Sequence, residues 1–238
     1  MKIGVVVTMH HSEKNRPYGK ELMDKFISTL YENLEYDFNL YIVDNQSDTR
    51  FDIESEGNNV WYHYVENQFE TGLTGAWNLG IKKAISDNCD IILNVNDDIE
   101  FNPTINNFID VIKNHKHKHL SFFGPVSDGF VGQPIQLQKG PIDDLIELSG
   151  TDWNSVIGGF FVGFTNKFFH KFKGENDNLF LQNHKYNEGD GKWGGQETIQ
   201  ILWKNDGAKI FVIGTCWIKH YKFRDWKIAK SKDKEITI

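Results

Sequence analysis

The chain has 238 residues, 39% of them hydrophobic and 25% charged, with a formal net charge of −7. That much apolar surface excludes wholesale disorder, and the acidic balance argues against a nucleic-acid binder or a polybasic membrane anchor. Its two cysteines, Cys89 and Cys216, exclude a disulfide framework and a four-cysteine zinc site, so a reducing, cytoplasmic setting is expected.

Residues 2–8 form a β-branched run that predicts a first strand and is too short for a signal peptide. Residues 20–34 place Leu22, Phe26, Ile27, Leu30 and Leu34 at helical spacing. Residues 39–44 and 59–65 read as the second and third strands, the second stopping at Asp44. Residues 73–86 predict a helix with Trp77, Ile81 and Ile85 on one stripe, and residues 90–96 a fourth strand that ends in acids. Asn102 and Pro103 suit the cap and first position of a further helix, with Ile105, Phe108, Ile109 and Ile112 facing the core.

The second half is less regular. Residues 119–124 predict a strand, and 127–150 read as loops or a small hairpin. Residues 156–165 are apolar and glycine-rich, whereas 183–195 have the composition of a mobile loop. A helix over 196–205 ends near Gly207, and two late strands follow at 208–213 and 215–221. The tail from 227 is charged and solvated. Nowhere does an apolar stretch approach the roughly 20 residues that cross a bilayer, so no integral membrane segment is expected. Nothing marks an independent second domain. The chain reads as one unit, with residues 1–125 as one half, 126–226 as the other, and 227–238 as the tail.

Strands alternating with helices predict an α/β fold with a mostly parallel central sheet flanked by helices. Ligands bind such sheets beyond the carboxyl ends of the strands. Three polar clusters fall there, at residues 8–11, 44–48 and 96–100, and their convergence points to a binding site.

The sharpest cluster is Asn94-Val-Asn-Asp-Asp-Ile-Glu100. Closely spaced carboxylates repel one another unless a cation neutralises them, and hard oxygen ligands suit Mg²⁺ or Mn²⁺. The plain alternative is a helix start, where acids are also favoured. Other segments with chemical potential are Tyr41-Ile-Val-Asp-Asn-Gln-Ser-Asp-Thr49, Thr71-Gly-Leu-Thr-Gly-Ala-Trp-Asn-Leu-Gly80, Gly158-Gly-Phe-Phe-Val-Gly-Phe164, Trp193-Gly-Gly-Gln-Glu197, and Lys219-His220. Gly80 inside a helix suggests close packing or a close ligand. Asp44 alone could equally cap a turn. His10 and His11 could line a pocket after the first strand but read rather as a surface loop, and the run His115-Lys-His-Lys-His119 could be a metal tract but reads rather as a solvated helix end.

Together these motifs resemble the inverting nucleotide-sugar glycosyltransferases of the GT-A fold, in particular the family 2-like group, from about residue 3 to 221. The resemblance implies the nucleotide-diphospho-sugar transferase fold. Residues 43–49 are similar to the family's Val-Asp-Asn-Gly-Ser-x-Asp motif, which implies nucleoside contacts from Asp44 and Asn45. Residues 72–81 are similar to its Gly-x-x-x-Ala-x-Asn-x-Gly-Ile helix, which implies Gly72 and Asn78 near the donor. Asn96-Asp97-Asp98 resembles Asp-x-Asp with Asn in first place. By that match Thr8, Asn96 and Asp97 border the donor, and Asp98 with His220 would hold a divalent metal, Mn²⁺ or Mg²⁺. Gln196-Glu197 resembles the Glu-Asp motif of the catalytic base, with Glu188 and Asp190 as rivals to Glu197. Trp193 and Gly194 are the candidate acceptor contacts, ahead of Trp153 and Trp217.

The activity so implied is transfer of a sugar from a nucleotide-diphosphate donor to a hydroxyl acceptor on a glycan, by single displacement with inversion. UDP is the expected nucleotide, with GDP and dTDP open. Two other readings remain open. One is a binding protein of this fold that has lost catalysis. The other is a sugar-nucleotide nucleotidyltransferase, although Thr8-Met-His-His-Ser12 lacks the glycine loop that such enzymes carry after the first strand.

Overall fold

In a computed structural model, the described residues are 1–51, 59–129, 134–150, 152–181 and 195–221. In chain order the strands are β1 (Ile3–Met9), β2 (Phe38–Asp44), β3 (Val60–Tyr64), β4 (Ile91–Asn96), β5 (Ile99–Glu100), β6 (Ser121–Ser127), β7 (Leu145–Glu147), β8 (Phe161–Thr165) and β9 (Lys209–His220). The helices are α1 (Gly19–Asn33), α2 (Gln68–Ser86), α3 (Ile105–Asn114), α4 (Asn166–Phe172) and α5 (Gly195–Asn205).

One sheet runs through both halves in the order β3-β2-β1-β4-β8-β6-β9-β5, with β7 on β9. Strands β3, β2, β1 and β4 are parallel, and so are β6 and β9. Strand β8 runs antiparallel between β4 and β6. The mostly parallel α/β architecture is therefore as the sequence predicts. Every residue of β1 is buried, as a strand covered by helices on both faces must be. On one face, Phe26 and Leu30 of α1 and Phe108 and Ile112 of α3 pack on Val5, Leu93 and Phe161. On the other, Trp77 and Ile81 of α2, Phe168 of α4 and Trp203 of α5 pack on Val6, Ile92 and Val162.

Two glycines shape α2. Gly72, at φ 63° and ψ 177°, breaks it, so the regular helix starts at Leu73 as the periodicity predicts. Gly80 lies so close to β1 that a methyl group there would collide with Val6 Cγ1. Close packing, and not a ligand, accounts for that glycine.

Several elements differ from expectation. The two late strands are one, β9. Its register with β6 jumps from Pro125↔Ile213 to Val126↔Trp217, and Gly214 instead exchanges backbone hydrogen bonds with Ile142 and Asp144. No separate hairpin forms in 134–150; β7 pairs with β9. Helix α3 starts at Ile105, because Asn102 Oδ1 accepts from Thr104 N and Oγ1 and makes a turn ahead of the helix. Helix α4, which the periodicity does not reveal, is capped by Thr165 Oγ1, which accepts from Phe168 N. Trp217 is half-buried against the second core, as expected of a strand residue. Most of the predicted loop at 183–195 lies outside the described residues. No described helix is long and apolar enough to cross a membrane.

Candidate active site

The carboxyl ends of β1, β2 and β4 open onto a cleft of about 200 Å³. Thr8, Met9 and His10 line it from β1 and the turn beyond, Asn45 from the turn after β2, and Asn96, Asp97 and Asp98 from the end of β4 and the turn after it; Arg16 and Leu73 complete the wall. The parallel pairing explains the convergence, since Thr8 stands beside both Val43 and Asn96 in register. His10 and His11 are therefore not a plain surface loop. His10 lines the cleft with Nδ1 3.0 Å from Asn45 O, and His11 is buried.

The two aspartates have different partners. Asp97 takes a bidentate pair from Arg16, at 2.5 Å from Nη1 and 2.7 Å from Nη2. Arg16 Nη1 also donates to His10 O, so one side chain ties the β1 loop to the end of β4. Burial pushes the Asp97 carboxyl up, and the guanidinium opposes that shift. The sequence reading missed Arg16. Its only signal is rarity: it is one of three arginines beside 23 lysines, and planar bidentate pairing is what Arg does better than Lys.

Asp98 faces the second half. The antiparallel pairing Ile99↔His220 sets His220 beside it, with Nε2 3.3 Å from Asp98 Oδ1, and Tyr221 N donates to Asp98 O at 2.7 Å. Burial alone would raise the Asp98 carboxyl; His220 and Arg16 outweigh it and hold it below the usual carboxylate range. The His220 ring stacks on Phe160 at 4.7 Å and 12°, which fixes its plane. Asn96 Oδ1 is buried without a hydrogen-bond partner, and Asp98 Oδ1 meets the His220 ring. A carboxylate oxygen, an amide oxygen and an imidazole nitrogen are a donor set that suits Mn²⁺. Among the described residues no group of three or more His, Cys, Asp or Glu side chains gathers at one point, so phosphate oxygens or water would have to complete any coordination.

Glu197 sits in the first turn of α5 and is 5% exposed. Gln196 Nε2 donates to its Oε1 at 2.7 Å, while Oε2 has no partner. Burial pushes its pKa up to about 7. The glycine-rich segment before β8 links this helix to the cleft. Gln200 bonds both backbone groups of Ile157, Gly158 N donates to Gln136 Oε1, Gly159 abuts Gln196, and Phe160 O accepts from Asn96 N. The buried Gln136 and Gln200 are two further residues that the sequence reading passed over; polar side chains at core positions carry no period to betray them.

The remaining predicted residues divide. Thr8 Oγ1 and Asn45 Oδ1 are buried, unpartnered and on the cleft wall. Asn94, in register with Val6 and fully buried, has neither amide atom partnered. Buried polar atoms are ordinarily satisfied, so the orphans of Thr8 and Asn45 on the cleft wall are what a polar ligand would complete. Asp44 is fully buried and holds its own turn, Oδ1 accepting from Ser47 N at 2.9 Å and Oδ2 from the Tyr62 hydroxyl at 2.6 Å. Asn78 is buried and bonded to backbone. Its amide donates to Phe180 O and accepts from Leu179 N and Phe180 N, so it pins residues 179–180 and does not line the cleft. Gly72 lies next to the cleft-lining Leu73. Trp193 and Gly194, with the rival acids Glu188 and Asp190, lie outside the described residues.

Comparisons with known proteins bear on the family and the fold. The family model described as "Glycosyl transferase family 2" matches residues 5–133, more than half of the chain. No curated protein matches by sequence. Among solved structures, S. aureus TarS 1-349 aligns with TM-score 0.59 and 13% identity over 95% of this chain and 62% of that one. GalNAc-T7, crystallised with UDP, GalNAc and Mn²⁺, aligns with TM-score 0.64 and 15% identity over 95% of this chain and 45% of that one. TarS 1-349 in complex with UDP-GlcNAc aligns with TM-score 0.58 and 14% identity over 93% of this chain and 59% of that one. At such identities the likeness is one of fold, the GT-A fold. This chain spans less than two thirds of the length of these structures.

Proposed function

We propose that this chain, which belongs to glycosyl transferase family 2, moves a sugar from a nucleotide-diphosphate donor to a hydroxyl acceptor, with inversion at the anomeric carbon. The observation that carries the reading is the meeting of Asp98 with His220, 3.3 Å apart, at a cleft whose walls expose unpartnered polar atoms. UDP is the proposed nucleotide, since fold neighbours were crystallised with UDP and UDP-GlcNAc.

In this reading the donor lies across the carboxyl ends of the strands. Thr8 and Asn45 gain hydrogen bonds from it, and the buried Asp44 keeps the 44–48 turn in shape behind Asn45. Asp98 and His220, with Asn96 Oδ1, would hold a divalent cation, Mn²⁺ or Mg²⁺, whose chemistry is to neutralise charge on a departing diphosphate. Glu197 takes the acceptor's proton. Its carboxylate is poised for that role, because burial brings the pKa to about 7, where a base is both ionised and proton-hungry. Attack from the face opposite the leaving group gives inversion in one displacement.

The test is release of nucleoside diphosphate from UDP-, GDP- and dTDP-sugars with Mn²⁺, with and without a glycan acceptor. The expected result is release from one nucleotide class only, lost in Asp98→Ala. Nucleotide binding without any release or transfer would replace this reading with that of a non-catalytic binder.

A further inference from the structure

A second concave site lies at the opposite end of the sheet. At the amino end of β4, a cavity of about 410 Å³ is lined by Asp90, Lys113, Lys118, His119, Thr165 and Lys167, among others. At ~3.3 Å per strand residue, the length of β4 sets it ~20 Å from Asp98. Two segments meet there, the exit of α3 and the start of α4. They are joined by His119 Nδ1, 3.3 Å from Thr165 Oγ1, and by Thr165 Oγ1 donating to Lys118 O.

Residues 113–120 and 165–173 together hold six lysines, four histidines and no acid, in a chain with more acids than bases. Of these, Lys173 pairs with Asp177, and elsewhere lysines also find carboxylates: Lys25 with Glu100, Lys83 with Asp87, Lys209 with Glu147. Among the described residues, Lys113, Lys118 and Lys167 make no ion pair. The one acid on the rim among the described residues, Asp90, accepts from Lys2 N through Oδ2. Lys118 Nζ donates to the backbone oxygen of Lys113 at 2.6 Å, which ties that ammonium to the end of α3. Burial, with Lys167 and Lys118 close by, holds the His119 imidazole below its usual range. Like charges gathered in a concave site raise its potential, and a bound anion relieves that cost.

We propose that this cavity binds a phosphate group, carried by a soluble phosphate ester or by an anionic phospholipid head group. Ammonium point charges suit a compact, multiply charged anion. The cavity shares no residue with the donor cleft, so this proposal does not depend on the glycosyltransferase reading.

The test has two arms on the same chain. In one, inorganic phosphate is titrated while the His119 ring resonance is followed by NMR. In the other, the chain is sedimented with vesicles of phosphatidylcholine alone or mixed with phosphatidylglycerol. A phosphate-induced shift of His119 without vesicle binding identifies a soluble ester; salt-sensitive binding to the mixed vesicles identifies a head group. In either case Lys113→Gln/Lys118→Gln/Lys167→Gln is expected to weaken binding roughly fivefold per lysine, or about 100-fold in all. Because Lys118 also bonds backbone, the exposed Lys167→Glu alone, checked for an unchanged melting curve, serves as the second variant. Asp98→Ala is expected to leave both readouts as they were. No response to phosphate or to anionic vesicles, or full binding by the triple variant, overturns the proposal.

Discussion

The two ends of β4 carry opposite chemistry and hold it differently. At the carboxyl end the charges are buried and matched. The Arg16 and Asp97 side chains are 16% and 6% exposed, those of His220 and Asp98 5% and 13%. At the amino end Lys113 and Lys167 are exposed and have no counter-ion among the described residues. A buried charge must be paired, and pairing fixes its position, so geometry comes with burial. An exposed lysine keeps its hydration and its freedom, so it can attract an anion but not orient one. One end is built for orientation and the other for attraction.

Substitutions that separate the two ends test this contrast. The largest effect is expected at Glu197. Glu197→Gln should lower transfer by about 10²–10⁴-fold while calorimetry finds nucleotide-diphosphate binding unchanged. Retained transfer would pass the base role to Glu188 or Asp190. Next comes Arg16→Ala, which leaves Asp97 buried without a counter-charge. Urea unfolding should report a loss of about 3–5 kcal/mol, largely restored when Asp97 is also made Leu.

A pH series sharpens the buried side of the comparison. The Glu197 pKa is raised from 4.5 to about 7 in the folded chain. Below pH 4.5 both folded and unfolded forms are protonated, and Glu197→Gln should match the parent in stability. As pH rises, the unfolded chain ionises first and folding loses free energy until the folded group ionises near 7. By pH 8 Glu197→Gln should be the more stable protein, by about 3 kcal/mol. The transfer rate of the parent should rise over the same range as the base ionises. Equal melting temperatures at pH 8 would argue that Glu197 is not held as described. Gly80→Ala should cost about 1–3 kcal/mol by overpacking against Val6, with neither end's binding altered. The smallest effect belongs to the basic end: Lys113→Gln should shift unfolding free energy by less than about 0.5 kcal/mol.

The sequence by itself determined the elements and the side of the sheet that matters. Strand and helix periods are local, so the Leu22, Phe26, Leu30 stripe and the start of regular helix at Leu73 were legible. Parallel strands joined by helices place all their carboxyl ends on one edge, so the clusters at Thr8, Asp44 and Asn96 had to converge. Only the tertiary structure decided which charge meets which. Arg16 reaches Asp97 across 81 positions, and His220 reaches Asp98 because β5 pairs with β9. The same holds for Asn78, which sits in a recognisable motif yet spends its amide on residues 179–180. The basic cavity needed two segments that share no sequence signal to dock at one strand end. Local period follows from covalent geometry and is written residue by residue. Charge partners follow from the order of strands in the sheet, which is set by packing the whole chain at once.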